Sequence, residues 1–371
     1  MLENLKQILG KTDYSFERQE KDPCDSEYFT LSSHPLNPDI IKHFYAQVSV
    51  IIPIFNGEQD IPDLISRLQN QTYPAHLVEY VLVDNGSQDH TAEIIFEAME
   101  SFSSREFSLR YLSETQIQGP GAARNRGIKC ASGEILIFTD VDCRPDLDWV
   151  EQMVRPFSLD QVGIVAGNIK ALPGKTIWEN YAEYKGFLSP IKLLNHPFGP
   201  STATANLAIR RQVLESIGLF RPYLISGEDT DLCWRMLKST SWKIYFAENA
   251  IVSHRHRDQL HDLRKQHLKN GHSQRFLHEL HGIALKPDLL LYQTVYIGLR
   301  WLLKELPISI FRAFTGKSKL DHAFYRLIDL ISWHAWQQGQ KEAKLPLEAH
   351  KIDWLDAEPL KENLRWETLQ S

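Results

Sequence analysis

The chain has 371 residues, is 43% hydrophobic and carries a formal net charge of −6, enough apolar material for a sizeable core. The mild acidity argues against nucleic acid as a partner. Its four cysteines, Cys24, Cys130, Cys143 and Cys233, show no paired spacing and read as reduced, cytosolic thiols.

Residues 1–46 are polar and mixed, with Pro23, Pro35 and Pro38, and read as an extension of the domain that follows. Lys6 and Lys11 are present without an apolar core behind them, so no signal peptide is expected. Val48–Pro53 is the first strand-like apolar run, and the loop Ile54-Phe55-Asn56-Gly57-Glu58 follows it. Ile61, Leu64, Ile65 and Leu68 then take the spacing of an amphipathic helix. Tyr80–Val83 is a second run and closes on Asp84. Ser87 and Asp89 are N-cap candidates for a helix over Thr91–Met99. An acid at a strand end can accept hydrogen bonds from a base or ribose. Gly119–Gly127 supplies flexible backbone and then Arg124 and Arg126, suited to a polyphosphate. It is not a Walker loop, because the Gly-Lys-Ser/Thr ending is missing, and no G-x-G-x-x-G follows the first strand.

Gly133–Pro145 (GEILIFTDVDCRP) is the most informative stretch. Ile135–Phe138 reads as a strand buried on both faces, and Asp140 and Asp142, two apart at its end, should look the same way. With no Lys or Arg between them the two acids repel, unless a cation is near. A divalent metal carrying a phosphorylated substrate answers that repulsion. Strand, helix, strand, helix, each strand closing on polar residues, predicts an α/β fold with a parallel sheet covered on both faces. Further on, Glu228, Asp229 and Asp231 crowd the start of a predicted helix. They favour its dipole, and one of them can serve as a general base for an incoming hydroxyl.

In order, VSVIIPIFNGE, VLVDNGSQDHT, GPGAARNRGI, GEILIFTDVDCRP, ANLAIRRQVLESIGLF and GEDTDLCWRM resemble the large inverting glycosyltransferase family 2 over about Gln47–Arg257. The resemblance implies the GT-A nucleotide-sugar fold, a three-layer αβα sandwich with a mostly parallel central sheet. It implies a catalytic domain over 47–257 and leaves 258–371 as a mostly helical C-terminal region. It places Pro53, Phe55, Asn56 and Glu58 against the nucleoside, makes Asp84 the acid that reads the base, and sets Arg124 beside the nucleotide. Asp140 and Asp142 match the metal-binding D-x-D, with Asp142 the more direct ligand to Mn2+ or Mg2+. His254 resembles a distal histidine added to that metal shell, and Asp229, after Glu228, matches the catalytic base. Asn206 resembles a residue lining the acceptor side, and Trp234 is assigned there with it. Phe55 stands where Tyr is commoner, and Val141 fills the centre of D-x-D where relatives often carry a third acid; neither removes a required group.

The histidines from His254 to His281 are interspersed with Arg and Lys. They read either as a basic, solvated helical face or as a zinc cluster that lacks cysteine partners. Arg255 and Arg257 match a basic stretch that closes over the diphosphate in relatives. Leu289–Phe314 is rich in Leu, Ile and aromatics, but Arg300, Lys304, Glu305, Pro307 and Arg312 deny it the form of a membrane span. It reads either as a bundle helix or as an interfacial membrane helix with basic and Trp301 anchors. Asp321–Gly339 continues the helical pattern, and its Trp333 and Trp336 are either core or an acceptor-facing surface.

Taken together, the sequence predicts a metal-dependent, inverting transferase moving a sugar from a nucleotide-diphosphate donor, UDP by default, to a hydroxyl of a glycan or glycolipid. The setting expected is cell-envelope polysaccharide or glycolipid synthesis, cytoplasmic and in peripheral contact with the membrane. A nucleotidyltransferase and a catalytically silent sugar-nucleotide-binding scaffold are the rival readings.

Overall fold

Three strands carry alternate side chains into two separate cores. In β2 (Val48–Ile54), Val50, Ile52 and Ile54 enter one core and Ile51 the other. In β3 (Val78–Asp84), Tyr80 and Leu82 oppose Val81 and Val83; in β5 (Ile135–Thr139), Ile135 and Ile137 oppose Leu136 and Phe138. All of these side chains are essentially inaccessible, and each stabilises the fold by roughly 1.5–3 kcal/mol through its burial. A sheet with both faces buried requires a helical layer on each side.

The computed structural model describes residues 29–31, 44–102, 107–316 and 320–355. Most of the 1–46 extension, including Cys24, Pro23, Pro35 and Pro38, lies outside the described residues. The remaining elements, in chain order, are β1 (Phe29–Leu31), α1 (Ile61–Gln69), α2 (Thr91–Phe102), β4 (Ser108–Ser113), α3 (Pro120–Cys130), β6 (Cys143–Pro145) and α4 (Trp149–Val154). They continue with β7 (Val162–Ala171), α5 (Ile177–Tyr184), α6 (Pro190–Leu194), β8 (Asn206–Arg210), α7 (Arg211–Ile217), α8 (Glu228–Ser239) and β9 (Lys243–His254). Helices α9 (Leu260–His281), α10 (Leu291–Arg300), α11 (Leu306–Phe314) and α12 (Tyr325–Glu342) follow.

The strand order is β1-β9-β7-β8-β5-β2-β3-β4, with β6 paired to β9. Most pairs are parallel, as the alternation of strands and helices predicts, but β8 runs antiparallel to both of its neighbours, β5 and β7. Because β2, β3 and β5 are parallel, their C-terminal ends share one edge, and that is where Asn56, Asp84 and Asp140 follow or close their strands. The short β6 folds back antiparallel on β9 and pairs Cys143 with His254.

One expectation is corrected here. Gly119–Gly127 is not a flexible loop: Pro120 opens α3, and the helix runs to Cys130. Its small residues serve close packing. A Cβ on Gly127 would lie 2.5 Å from Ile51 Cγ2 of β2, so only glycine lets the helix approach the sheet this closely.

In the C-terminal region α9 packs along α12. Gly271 and Gly339 let the two backbones touch: a Cβ on Gly271 would lie 2.1 Å from the Trp336 carbonyl oxygen. Trp333 and Trp336 are half-buried, and Lys286 Nζ sits 3.4 Å from the Trp336 ring centroid, a cation–π contact. These rings belong to the packing of the helical region. Among the described residues no helix is long and apolar enough to cross a membrane.

Candidate active site

The loop after β2 is locked to the loop after β3. Asn56 takes a left-handed backbone conformation (φ 53°), which asparagine tolerates better than most residues. Its N–H donates to Ser87 Oγ (2.8 Å) and its Oδ1 accepts from the Gln88 N–H (2.9 Å). Asp89, one residue before the N-cap position of α2, accepts from the Thr91 N–H (3.1 Å), and its other oxygen accepts from the Glu58 N–H. Glu58 in turn accepts from both the backbone and the ring of His90 (3.1 and 2.9 Å), and the ring contact first of all holds its carboxyl below the usual range. Phe55 stands out from this frame half exposed, while Pro53 is held within β2 opposite Val83.

Asp84 closes β3 almost fully buried, with Oδ1 accepting from the Ser87 N–H (2.9 Å) and Oδ2 from the Tyr111 hydroxyl (2.9 Å). It braces the loop, and the remaining lone pair on each oxygen is what it has left for a ligand.

Arg124 differs most from its expected place. It is 3% exposed, with Nη2 on Asp140 Oδ1 and Nη1 on Glu228 Oε1, both at 3.0 Å. Both Nη groups of this buried guanidinium are engaged by carboxylates, and its Nε, also buried, has no hydrogen-bond partner among the described residues. Arg124 ties the end of β5 to the start of α8 instead, and sequence could not show this because the partners come from segments far apart in the chain. Exposed cations do lie nearby. Arg255 and Arg257 follow β9 on the surface, and Arg257 is close enough to help hold the Asp142 carboxyl down.

The β6–β9 pairing brings His254 to Asp142, with Nε2 3.3 Å from Oδ1. Burial opposes ionisation of both groups, yet their mutual contact outweighs it, lowering the Asp142 carboxyl and raising the His254 imidazole. Asp142, Cys143 and His254 lie close enough together that they could hold a metal ion. Cys143 is fully buried and its thiol is pushed far up by that burial; a carboxylate and an imidazole beside it are donors of a type that suits Mn2+. Asp140, expected beside Asp142 as a ligand, does not belong to that group; one of its oxygens is held by Arg124. The other histidines of 256–281 form no metal-holding group among the described residues.

At the N-terminus of α8, Gly227 takes a left-handed conformation (φ 83°) and turns the chain into the helix. Asp229 Oδ1 accepts from the Thr230 N–H (2.7 Å). Burial, joined by the adjacent Glu228 carboxylate, pushes Asp229 up to about 6, near the working pH of a general base. Glu228 is occupied by Arg124. Asp231 anchors the helix instead. Fully buried, it receives Arg221, Arg235 and His281 at 3.1, 2.9 and 2.8 Å. Burial alone would raise its carboxyl, but the His281 hydrogen bond and the two guanidinium groups outweigh this and hold it at about 2.

The two acceptor-side assignments are corrected. Asn206 is completely enclosed: its Oδ1 accepts from Trp149 Nε1 (2.8 Å), and its amide donates to the carbonyls of Asn168 and Ala250. Trp234 is 2% exposed, donates to the Gly199 carbonyl and packs on Phe198, with ring centroids 4.6 Å apart. Sequence reasoning also missed Asn85. It is buried after β3, donates to the carbonyls of Glu114 and Ile117, and accepts from the Gly119 N–H at the entry to α3. A strand-end Asn-Gly pair was the available signal.

A family model described as glycosyl transferase family 2 matches residues 49–218. Glycosyltransferase AglE of Haloferax volcanii is 34% identical over 253 residues, 68% of this chain and 80% of that protein. A pre-mycofactocin glycosyltransferase of Mycobacterium tuberculosis is 27% identical over 238 residues, covering 62% of this chain and 47% of the relative. Among solved structures, the mannosyltransferase PcManGT from Pyrobaculum calidifontis, in complex with GDP-Man and Mn2+, superposes with a TM-score of 0.56 at 16% identity, over 81% of this chain and 89% of that one. That likeness establishes the GT-A architecture.

Proposed function

Since this chain belongs to glycosyl transferase family 2 and is a glycosyltransferase, we propose that it transfers a sugar from a nucleotide-diphosphate sugar to an acceptor hydroxyl with inversion, using Asp229 as the base. The observation that carries this reading is Asp229 itself: a carboxylate raised to about 6, on a helix that Arg124 ties to the strand-end acid Asp140. The acceptor hydroxyl gives its proton to Asp229. Its oxygen bonds to the anomeric carbon as the bond from that carbon to the diphosphate oxygen breaks on the opposite face. One displacement inverts the configuration, and no covalent glycosyl-enzyme is needed.

Asn56, Glu58 and the half-exposed Phe55 form the nucleoside side, and the frame of hydrogen bonds around Asn56 supports their fixed placement. Asp142 and His254 Nε2 would hold Mn2+ or Mg2+, a cation that neutralises charge on the leaving diphosphate. Arg255 and Arg257 take the role expected of Arg124, since they are exposed beside that pair. UDP is the default nucleotide, with GDP and dTDP as alternatives; the acceptor is a glycan or glycolipid of the cell envelope. Cys143 and Cys233 are buried free thiols, in keeping with a reducing, cytoplasmic setting.

Thermal-shift titration with UDP, GDP and dTDP, with and without Mn2+, tests the donor site. One nucleotide should raise the melting temperature only with metal, and Asp142→Asn should abolish that shift. Asp229→Asn should keep the shift and lose turnover. A metal-independent shift retained in Asp142→Asn refutes the metal assignment, and full turnover in Asp229→Asn refutes the base.

A further inference from the structure

Helices α10 and α11 are joined by one turn of π-helix, Trp301–Glu305, into a continuous rod of about 35 Å. The rod is turned inside out. Several of its polar groups are turned to the protein: Thr294 meets His334, Glu305, paired with Arg300 of the rod, also reaches Arg326, and Trp301 Nε1 donates to the Ala323 carbonyl. None of its residues is buried. Leu291, Val295, Leu299 and Leu303 recur at every fourth position, and all four are exposed, Leu291 at 81% and Leu303 at 74%. Tyr292 and Tyr296 flank this stripe, and Phe311 and Phe314 extend it, 69% and 92% exposed. A surface helix normally shows the reverse arrangement, and a contiguous apolar face of this length marks an interaction surface.

We propose that this face docks the protein on the surface of an anionic lipid bilayer, with the rod lying in the plane of the headgroups. Charge selects this occupant over a second copy of the chain. The rod's one acid, Glu305, is consumed by Arg300 and Arg326, while Lys304 and Arg312 are exposed. Two such faces brought together would repel, whereas phosphate headgroups attract both cations. The tyrosines suit the boundary between acyl chains and headgroups, and the leucine stripe reaches only interfacial depth, as a helix lying on the membrane should.

The experiment is flotation of the full chain with phosphatidylcholine vesicles, with and without phosphatidylglycerol. The wild type should float with the anionic vesicles and bind less as salt rises. Leu299→Ser with Leu303→Ser should weaken partitioning by about tenfold or more, and Lys304→Glu with Arg312→Glu should abolish the preference for anionic vesicles. All four positions are exposed, so unfolding midpoints should match the wild type. The assay needs no donor sugar, and its outcome is therefore separate from that of the transferase mechanism. Failure of the folded wild type to float, equal flotation of the variants, or a dimer that Leu299→Ser with Leu303→Ser dissociates would each overturn the proposal.

Discussion

Replacing Asp231 with asparagine removes the negative charge that Arg221, Arg235 and His281 share in the interior beside α8. Arg235, 8% exposed, keeps the carbonyls of Ile217, Gly218 and Leu219 but loses its counter-charge. Breaking a buried ion pair from one side costs about 3–5 kcal/mol, and the surviving carbonyl contacts put this case at the lower end. The pH dependence gives an independent magnitude. The carboxyl is held at about 2 against an ordinary value of 3.8, a difference worth about 2 kcal/mol. Because the folded-state value is the lower one, that stability is complete above the unfolded value and is lost as pH falls through the folded one. Urea unfolding of wild type and Asp231→Asn at pH 7 should differ by about 3 kcal/mol, and the gap should narrow by about 1 kcal/mol on going to pH 3. A gap below about 1 kcal/mol at pH 7, or one that stays constant down to pH 3, would refute the assignment of Asp231 as a structural anchor.

Arg124→Met strands Glu228, 6% exposed, and releases Asp140. It should lower stability by about 3–5 kcal/mol in guanidinium titrations, with Arg124→Lys falling between it and the wild type. Asp229 acts in its ionised form, so kcat/KM should fall as pH drops through about 6. Glu228→Gln removes a neighbouring negative charge and should move that limb to lower pH; an unmoved limb would mean another group sets it. Burial that raises a carboxyl also opposes folding once the group ionises, so Asp229→Asn should be more stable than wild type above pH 6 and lose that advantage near pH 4. Gly127→Ala drives a methyl against Ile51 Cγ2 and should cost about 1–3 kcal/mol in thermal unfolding.

The sequence by itself determined β2, β3 and β5 and the polar residues at their ends. Each strand is a short apolar run buried on both faces, and that burial leaves a strong local signal. Parallel pairing then obliges the three C-termini to share an edge, so the neighbourhood of Asn56, Asp84 and Asp140 was legible in the chain itself. The helix pattern at Ile61, Leu64, Ile65 and Leu68 was legible for the same reason.

Tertiary structure alone decided which polar groups remain available. Arg124 looks like a phosphate ligand in sequence, but Asp140 and Glu228, from distant segments, close on both of its arms. Asn206 sits in a recognisable motif, and only the approach of Trp149, Asn168 and Ala250 reveals that every polar atom of its side chain is used. His254 meets Asp142 because β6 turns back along β9, a pairing that no local pattern encodes. The leucines of α10 have the spacing of a core helix, and spacing is blind to which way a helix is rotated. Local patterns record how each segment hides apolar surface; partners and orientation follow from long-range packing, which a single segment does not contain.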